Sequence, residues 1–216
     1  MAERIIEVEN VSFSVDQENI LKGLNFSINK GERVTITGPS GGGKSTLLKI
    51  IASMLSPTEG VVSYNGKNIA DINPIDYRKK VSYFFQNATL FDQTVRDNLS
   101  FPYEIRDEEF DETKSVTMLE RVKLNRTYLD KAVKDLSGGE KQRVALVRNL
   151  LYQPDIILLD EVTSSLDAEN KEIIYAILDE LNEEAAMTIL SVTHDEREIN
   201  QADRVIQIVD GKVADK

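Results

Sequence analysis

The sequence predicts an α/β domain: a mixed sheet core with an N-terminal antiparallel β-layer and an inserted helical subdomain. Three observations carry this. Residues 5 to 36 hold short alternating apolar runs broken by turn-formers, the pattern of half-buried strands. Residues from about 94 to 150 turn helical and charged. After that, strand–helix–strand alternation returns, which implies a parallel sheet flanked by helices. At 216 residues, with 41% apolar and 29% charged, the chain fits one globular domain with a sizeable core. We expect a single domain over 1–216, its core at about 1–86 and 152–216 and the helical subdomain at about 87–151.

Taken in order, Ile5–Val8, Val11–Val15, Leu24–Ile28 and Arg33–Thr37 read as strands, with a turn at Asn29–Glu32. Lys44–Met54 has helical spacing through Leu47, Leu48, Ile50 and Ile51, and Pro57 ends it. Val61–Tyr64 and Val81–Phe85 read as further strands. Val116, Leu119 and Val122 mark one helical face, and Val144, Leu146, Val147 and Leu150 another. Ile156–Leu159, Thr188–Val192 and Arg204–Val209 then read as core strands, with a helix over Ala168–Leu181.

Composition narrows the function. There are 26 basic and 37 acidic residues, a net charge of −11, which gives no global attraction for nucleic acid. The acidic runs at Arg106–Glu112 and Glu180–Glu184 read as solvated faces. The chain has no cysteine, so it has no disulfide or thiolate metal site. No apolar run is long enough to span a bilayer, and Met1–Ile5 lacks the start of a signal peptide, so a cytosolic location is expected.

Gly38-Pro39-Ser40-Gly41-Gly42-Gly43-Lys44-Ser45 follows a strand and opens a helix, the context of a phosphate-binding loop. Amides of residues 41 to 46 can point at the phosphates of a nucleotide, aided by the helix N-terminus. Lys44 supplies a positive charge for the terminal phosphates, Ser45 a hydroxyl for Mg²⁺, and Thr46 a donor to the α-phosphate. Asp160 ends an apolar strand, where a carboxylate is costly unless paired or metal-bound; the Mg²⁺ on Ser45 is its natural partner. Glu161, on an extended chain, points to the other side and is free to act as general base on a water. Leu136-Ser137-Gly138-Gly139-Glu140 reads as an N-cap and tight turn at a positive helix end. Ser137, Gly138 and Gly139 form a second anion site there.

Phosphate loop, LSGGE and the Asp160-Glu161 pair, in this order, resemble the ABC-type ATPases along nearly the full chain. The fold that the resemblance implies is a P-loop NTPase of ABC type. It implies ATP and Mg²⁺ as ligands and a head-to-tail homodimer in which Ser137, Gly138 and Gly139 close on the γ-phosphate held by the other subunit. It implies that Gln86 reaches Mg²⁺ and the attacking water, and that His194, the one histidine, contacts the γ-phosphate. By the same resemblance Ser164–Asp167 crosses the dimer interface, with Ser165 in place of a commoner alanine. The family's adenine-stacking aromatic is replaced by Val15; Phe13, two residues earlier, is either its substitute or a core residue.

The stretch between Lys44 and Ser137 is too short for the long coiled coils of chromosome and repair members, and the single cassette disfavours translation factors. A transporter motor, bound to an integral-membrane permease at the cytoplasmic face of the membrane, is left. The alternative is an ATPase that regulates a membrane partner without transport. The partner's groove is expected along Phe84–Phe91 and Thr94–Leu99, with several apolar side chains exposed. At finer grain Tyr77–Tyr83, Asp97–Pro102 and Thr193–Asp203 resemble the ATPase of a bacterial iron exporter, which implies iron or another metal as exported cargo.

Overall fold

The computed structural model describes residues 3–86, 89–91, 93–164 and 166–214. Strand β1 (Arg4–Val15) and strand β2 (Glu18–Asn29) form one long antiparallel hairpin. The sequence led us to expect three shorter strands here, with nothing over residues 18 to 23. The polar run Asp16–Asn19 hides the hairpin: Asp16 and Gln17 both take positive φ, 47° and 69°, which suits a two-residue turn between twisted strands. Asn10, at φ 53°, lies in a register shift between Val8 and Val11, so one strand reads as two. Strands β4 (Glu59–Tyr64) and β5 (Lys67–Asn68) complete a four-stranded layer in the order β2-β1-β4-β5.

The second sheet has six strands. Strands β3 (Arg33–Thr37), β6 (Val81–Phe84), β7 (Ile156–Asp160), β8 (Thr188–Val192) and β9 (Arg204–Val209) run parallel. Strand β10 (Lys212–Val213) joins β9 antiparallel, so the sheet is mixed, in the order β10-β9-β3-β8-β7-β6.

Between these strands lie helices α1 (Lys44–Ile51), α2 (Pro74–Arg78), α3 (Val95–Glu104), α4 (Glu112–Arg121), α5 (Gly138–Leu150), α6 (Ala168–Ala185) and α7 (Glu196–Gln201). Short helix α2 was not legible, because five residues show no full period. Side-chain caps start α2 through α7, from Asn73, Thr94, Asp111, Ser137, Asp167 and Asp195. Helix α1 alone starts from a glycine, Gly43, with no side-chain cap. Its first-turn amides therefore stay available to a ligand.

The two-residue period of β7 divides the core. Ile156 and Leu158 face the antiparallel layer and α1, in a cluster with Ile6, Val34, Leu47 and Ile51. Ile157 and Leu159 face the other way, with Phe84, Leu99, Leu119, Val147 and Ile174. The inserted helices thus share one core with α6 and the second face of the sheet. Asp160 falls in register with Ile156 and Leu158, toward α1.

Buried Asn98 pins α3 to its surroundings. Its side chain accepts from Phe91 N and Arg148 Nη1 at 3.0 and 3.1 Å and donates to Phe91 O and Thr94 O at 2.5 and 2.9 Å. Asn98→Ala should cost about 1–3 kcal/mol, because it orphans buried partners. Thermal unfolding followed by circular dichroism reads this; an unchanged midpoint would contradict it.

Candidate active site

The glycine loop is shaped by its neighbours. Gly38 has φ 135°, and a Cβ there would lie 1.9 Å from the backbone oxygen of Ile208 on β9, so only glycine fits. At Gly43, φ 91°, a Cβ would meet the Leu21 side chain at 2.6 Å. The β1–β2 hairpin therefore lies against the loop. Lys44 is buried at 5% exposure and its Nζ donates to the Gly38 and Pro39 carbonyls, both at 2.8 Å. The ammonium is thus held on the carbonyls of the loop's own first residues.

Ser45 and Asp160 meet. Ser45 Oγ donates to Asp160 Oδ1 at 2.8 Å, and the Tyr83 hydroxyl donates to Asp160 Oδ2 at 2.6 Å. Burial, with the bond to Asp160 next, pushes the Tyr83 phenol well above its ordinary value of 10.0. Tyr83 escaped the sequence reading. Its only signal is strand parity beside Asp160, which needs the strand order. The oxygen donors of Ser45 and Asp160, so close together, suit a hard cation such as Mg²⁺.

Glu161 departs from the expected extended chain. It leaves β7 in the left-handed region at φ 51°. Its amide donates to Val192 O at 2.9 Å, and its carbonyl accepts from Ser164 N at 3.2 Å and Ser164 Oγ at 2.8 Å. These bonds hold a conformation that costs a non-glycine residue about 1–2 kcal/mol. The turn still sends the carboxylate away from Asp160. Gln86 Nε2 donates to Glu161 Oε2 at 3.2 Å, and His194 Nε2 lies 3.8 Å from Glu161 Oε1. The three side chains thus converge from the ends of β6, β7 and β8. Gln86 is joined to Glu161 rather than to Ser45 and Asp160.

Gln142, also unforeseen, ties this group to α5. At 4% exposure, its Nε2 donates to Val162 O at 2.9 Å and to Gln86 O at 3.4 Å. It lies within the stretch that follows LSGG, but nothing in the sequence says that it turns inward.

Ser137 bonds within its own helix end, to Glu140 and Lys141, and to neither group. Ser137 caps α5: its Oγ accepts from Glu140 N at 3.2 Å, and its amide donates to Glu140 Oε2 at 2.7 Å. A Cβ on Gly139 would lie 2.5 Å from Asn170 on α6, while nothing lies within 4 Å of one on Gly138. Burial opposes the Glu140 charge, but hydrogen bonds from the Tyr128 hydroxyl, the Ser137 amide and Lys131 outweigh it. They hold the carboxyl at about 2, below its ordinary 4.5. Among Ser164–Asp167, Ser165 lies outside the described residues; Asp167 caps α6 by accepting from Asn170 N at 2.8 Å. Phe13 is half-buried against the core of the antiparallel layer, and Val15 is 45% exposed at the hairpin end. The ring proposed as a substitute adenine stack thus packs with the core.

Beside the site lies a groove. Of the six exposed large apolar residues among the described ones, five line it: Met54, Ile75, Phe85, Phe101 and Ile105. Of the expected stretch, Phe84–Phe91 and Thr94–Leu99, Phe85 lines the groove. Phe84, Val95 and Leu99 are core, because β6 and α3 turn them inward. Asn87 and Ala88 lie outside the described residues. Four cations, Arg78, Lys79, Arg106 and Arg148, stand around the same groove.

The model of the ABC transporter family matches residues 21–164. The chain is 45% identical to the probable iron export ATP-binding protein FetA of Escherichia coli (strain K12), over 94% of this chain and 91% of that one. It is 38% identical to the spermidine/putrescine import ATP-binding protein PotA of Spiroplasma citri, covering 99% of this chain but only 61% of PotA. Among solved structures it is similar to the dimeric ATP-binding cassette MJ0796 in a post-hydrolysis state bound to ADP and Pi. The TM-score there is 0.88 and the identity 33%, over 98% of this chain and 97% of that one. The chain belongs to the ABC transporter family and is one of its ATP-hydrolysing cassettes.

The folded value of Glu140 lies below its ordinary one, so its contribution is full above about pH 4.5 and fades as pH falls toward about 2. Glu140→Gln should therefore be less stable than the wild type at neutral pH, and the difference should close by about pH 2. Denaturant unfolding at a series of pH values measures it. A difference independent of pH would contradict the assignment.

Proposed function

We propose that this member of the ABC transporter family closes on two ATP molecules as a head-to-tail homodimer and drives a separate integral-membrane permease. The observation that carries the reading is a half-site. Loop, Asp160 and the Glu161 group gather at one end of the parallel sheet, while Ser137 and Gly138 are exposed and Ser137 bonds with neither group. A second copy supplies what one protomer lacks.

In this reading the uncapped end of α1 and the amides of Gly41 to Thr46 receive the phosphates. Lys44 exchanges its two carbonyl partners for the terminal phosphates. Ser45 and Asp160 would hold Mg²⁺, with Gln86 reaching it on closure; the ion, when bound, offsets phosphate charge. Glu161 polarises the attacking water, a role that contributes about 10²–10⁴-fold in rate. Gln86 and His194 orient that water and the γ-phosphate. The partner's Ser137, Gly138 and Gly139 bring a hydroxyl, amides and a positive helix end to the other side of the γ-phosphate. Phe13 and Val15 lie on the hairpin beside the loop, so adenine rests there without an exposed aromatic ring of the hairpin to stack on.

The groove supports the membrane partner. Five exposed apolar side chains in one patch, ringed by cations, fit an amphipathic helix of a permease better than water. In this reading the permease is a separate chain; no helix among the described residues is long and apolar enough to cross a membrane. The subunit then sits at the cytoplasmic face. In this reading residues 87–151 are the helical subdomain on a core of 1–86 and 152–216, and residues of both line the groove. Export of iron or another metal is the cargo reading that the likeness to FetA supports.

Lys44→Ala should abolish hydrolysis. Glu161→Gln should keep ATP binding, lose at least about 100-fold in turnover, and shift from monomer to dimer on a sizing column when Mg-ATP is added. Near-normal turnover by Glu161→Gln would remove Glu161 from its role. Binding of ATP with no change in size would count against closure as a homodimer.

A further inference from the structure

Tyr83 belongs to two places at once. It lies on β6, the edge strand of the parallel sheet, paired with Leu158 of β7. Asp160 is two residues beyond Leu158, so it is the diagonal neighbour of Tyr83 on the same face. Diagonal pairs lie about 7–8 Å apart, within reach of an aromatic side chain. The phenol spans that distance and donates to Asp160 Oδ2 at 2.6 Å, while Ser45 occupies Oδ1 at 2.8 Å. The other end of the residue is part of the groove wall. The Tyr83 ring lines the groove and packs on exposed Phe85, centroid to centroid 4.7 Å, with planes tilted by 59°.

We propose that Tyr83 is a positioning residue that sets the carboxylate of Asp160 and carries groove occupancy to it. The inference rests on the groove and the Ser45–Asp160 pair as read above. A carboxylate with one oxygen on Ser45 can still rotate about its last bond; the Tyr83 hydroxyl fixes the plane. A segment docked against Phe85 and Ile105 presses on the Tyr83–Phe85 ring pair, and any turn of the phenol moves the oxygen it holds. The link is one side chain long. It needs no relay through Gln86, which is bonded to Glu161 and not to Asp160.

The test reads metal affinity rather than activity. In the Glu161→Gln protein loaded with ATP, bound Mn²⁺ is titrated by electron paramagnetic resonance. Adding Tyr83→Phe, which keeps the ring and removes the hydroxyl, should weaken Mn²⁺ about 10-fold, the usual order for a residue that orients a metal ligand. ATP affinity measured in EDTA should be unchanged, while the thermal midpoint falls by the amount that losing one hydrogen bond to a buried carboxylate implies, without loss of cooperative unfolding. The groove arm uses the absence of cysteine in the chain. Ile105→Cys labelled with a bulky apolar maleimide fills the groove. The label should change Mn²⁺ affinity severalfold when Tyr83 is present and leave it unchanged with Tyr83→Phe. Equal label effects with and without the hydroxyl, or a Tyr83→Phe protein with unaltered Mn²⁺ affinity, would overturn the proposal. Failure of the Glu161→Gln protein to bind ATP at all would instead overturn the nucleotide reading beneath it.

Discussion

A carboxylate at the end of a fully buried strand is the constraint on which this molecule turns. Every residue of Ile156–Asp160 is buried. An unpaired charge there would cost several kcal/mol, so the chain must bring partners to it. It brings the Ser45 and Tyr83 hydroxyls, one per oxygen. Meeting that demand fixes the first turn of α1 against β7 and the edge strand β6 against both. One side chain thereby joins the first turn of α1 to the edge strand β6.

The same strand end divides labour by direction. Asp160 keeps the parity of Ile156 and Leu158 and faces the glycine loop. The left-handed turn at Glu161 then throws the next carboxylate the other way, toward Gln86 and His194. Two acids adjacent in sequence thus serve two places. In the proposed function, what one protomer lacks is the far side of the phosphates. Its Ser137 turn is spent on capping α5, braced by Glu140 and seated on α6 through Gly139 and Asn170. In the proposed function, that exposed turn is what one copy would offer to the loop of the other.

Much of this was legible in the residues. Glycine loops, apolar strand runs and a cap followed by Gly-Gly are local patterns, and local patterns survive in sequence. Asp160 could be read as needing a partner because burial cost is general, and its Ser45 bond is a partner that the reading did not place. What stayed hidden needed tertiary knowledge. Tyr83 matters only through strand order, and Gln142 only through the inward face of α5. The Asp16–Gln17 turn was masked by polar residues, and the left-handed Glu161 by the strand that precedes it. The groove was only partly legible: Phe84, Val95 and Leu99 look like Phe85 in sequence whether they face core or solvent, and Met54, Ile75, Phe101 and Ile105 come together from distant segments.

The central claim is that a working site takes its loop from one copy and its Ser137 turn from another. Mixing two inactive proteins tests it most directly: one carrying Lys44→Ala, the other Ser137→Arg. If the turn acts across the interface, a mixed dimer pairs the intact loop of the second with the intact turn of the first, and hydrolysis returns on mixing. If mixing restores nothing while mixed dimers demonstrably form, loop and turn must act within one chain, and the shared-site account fails.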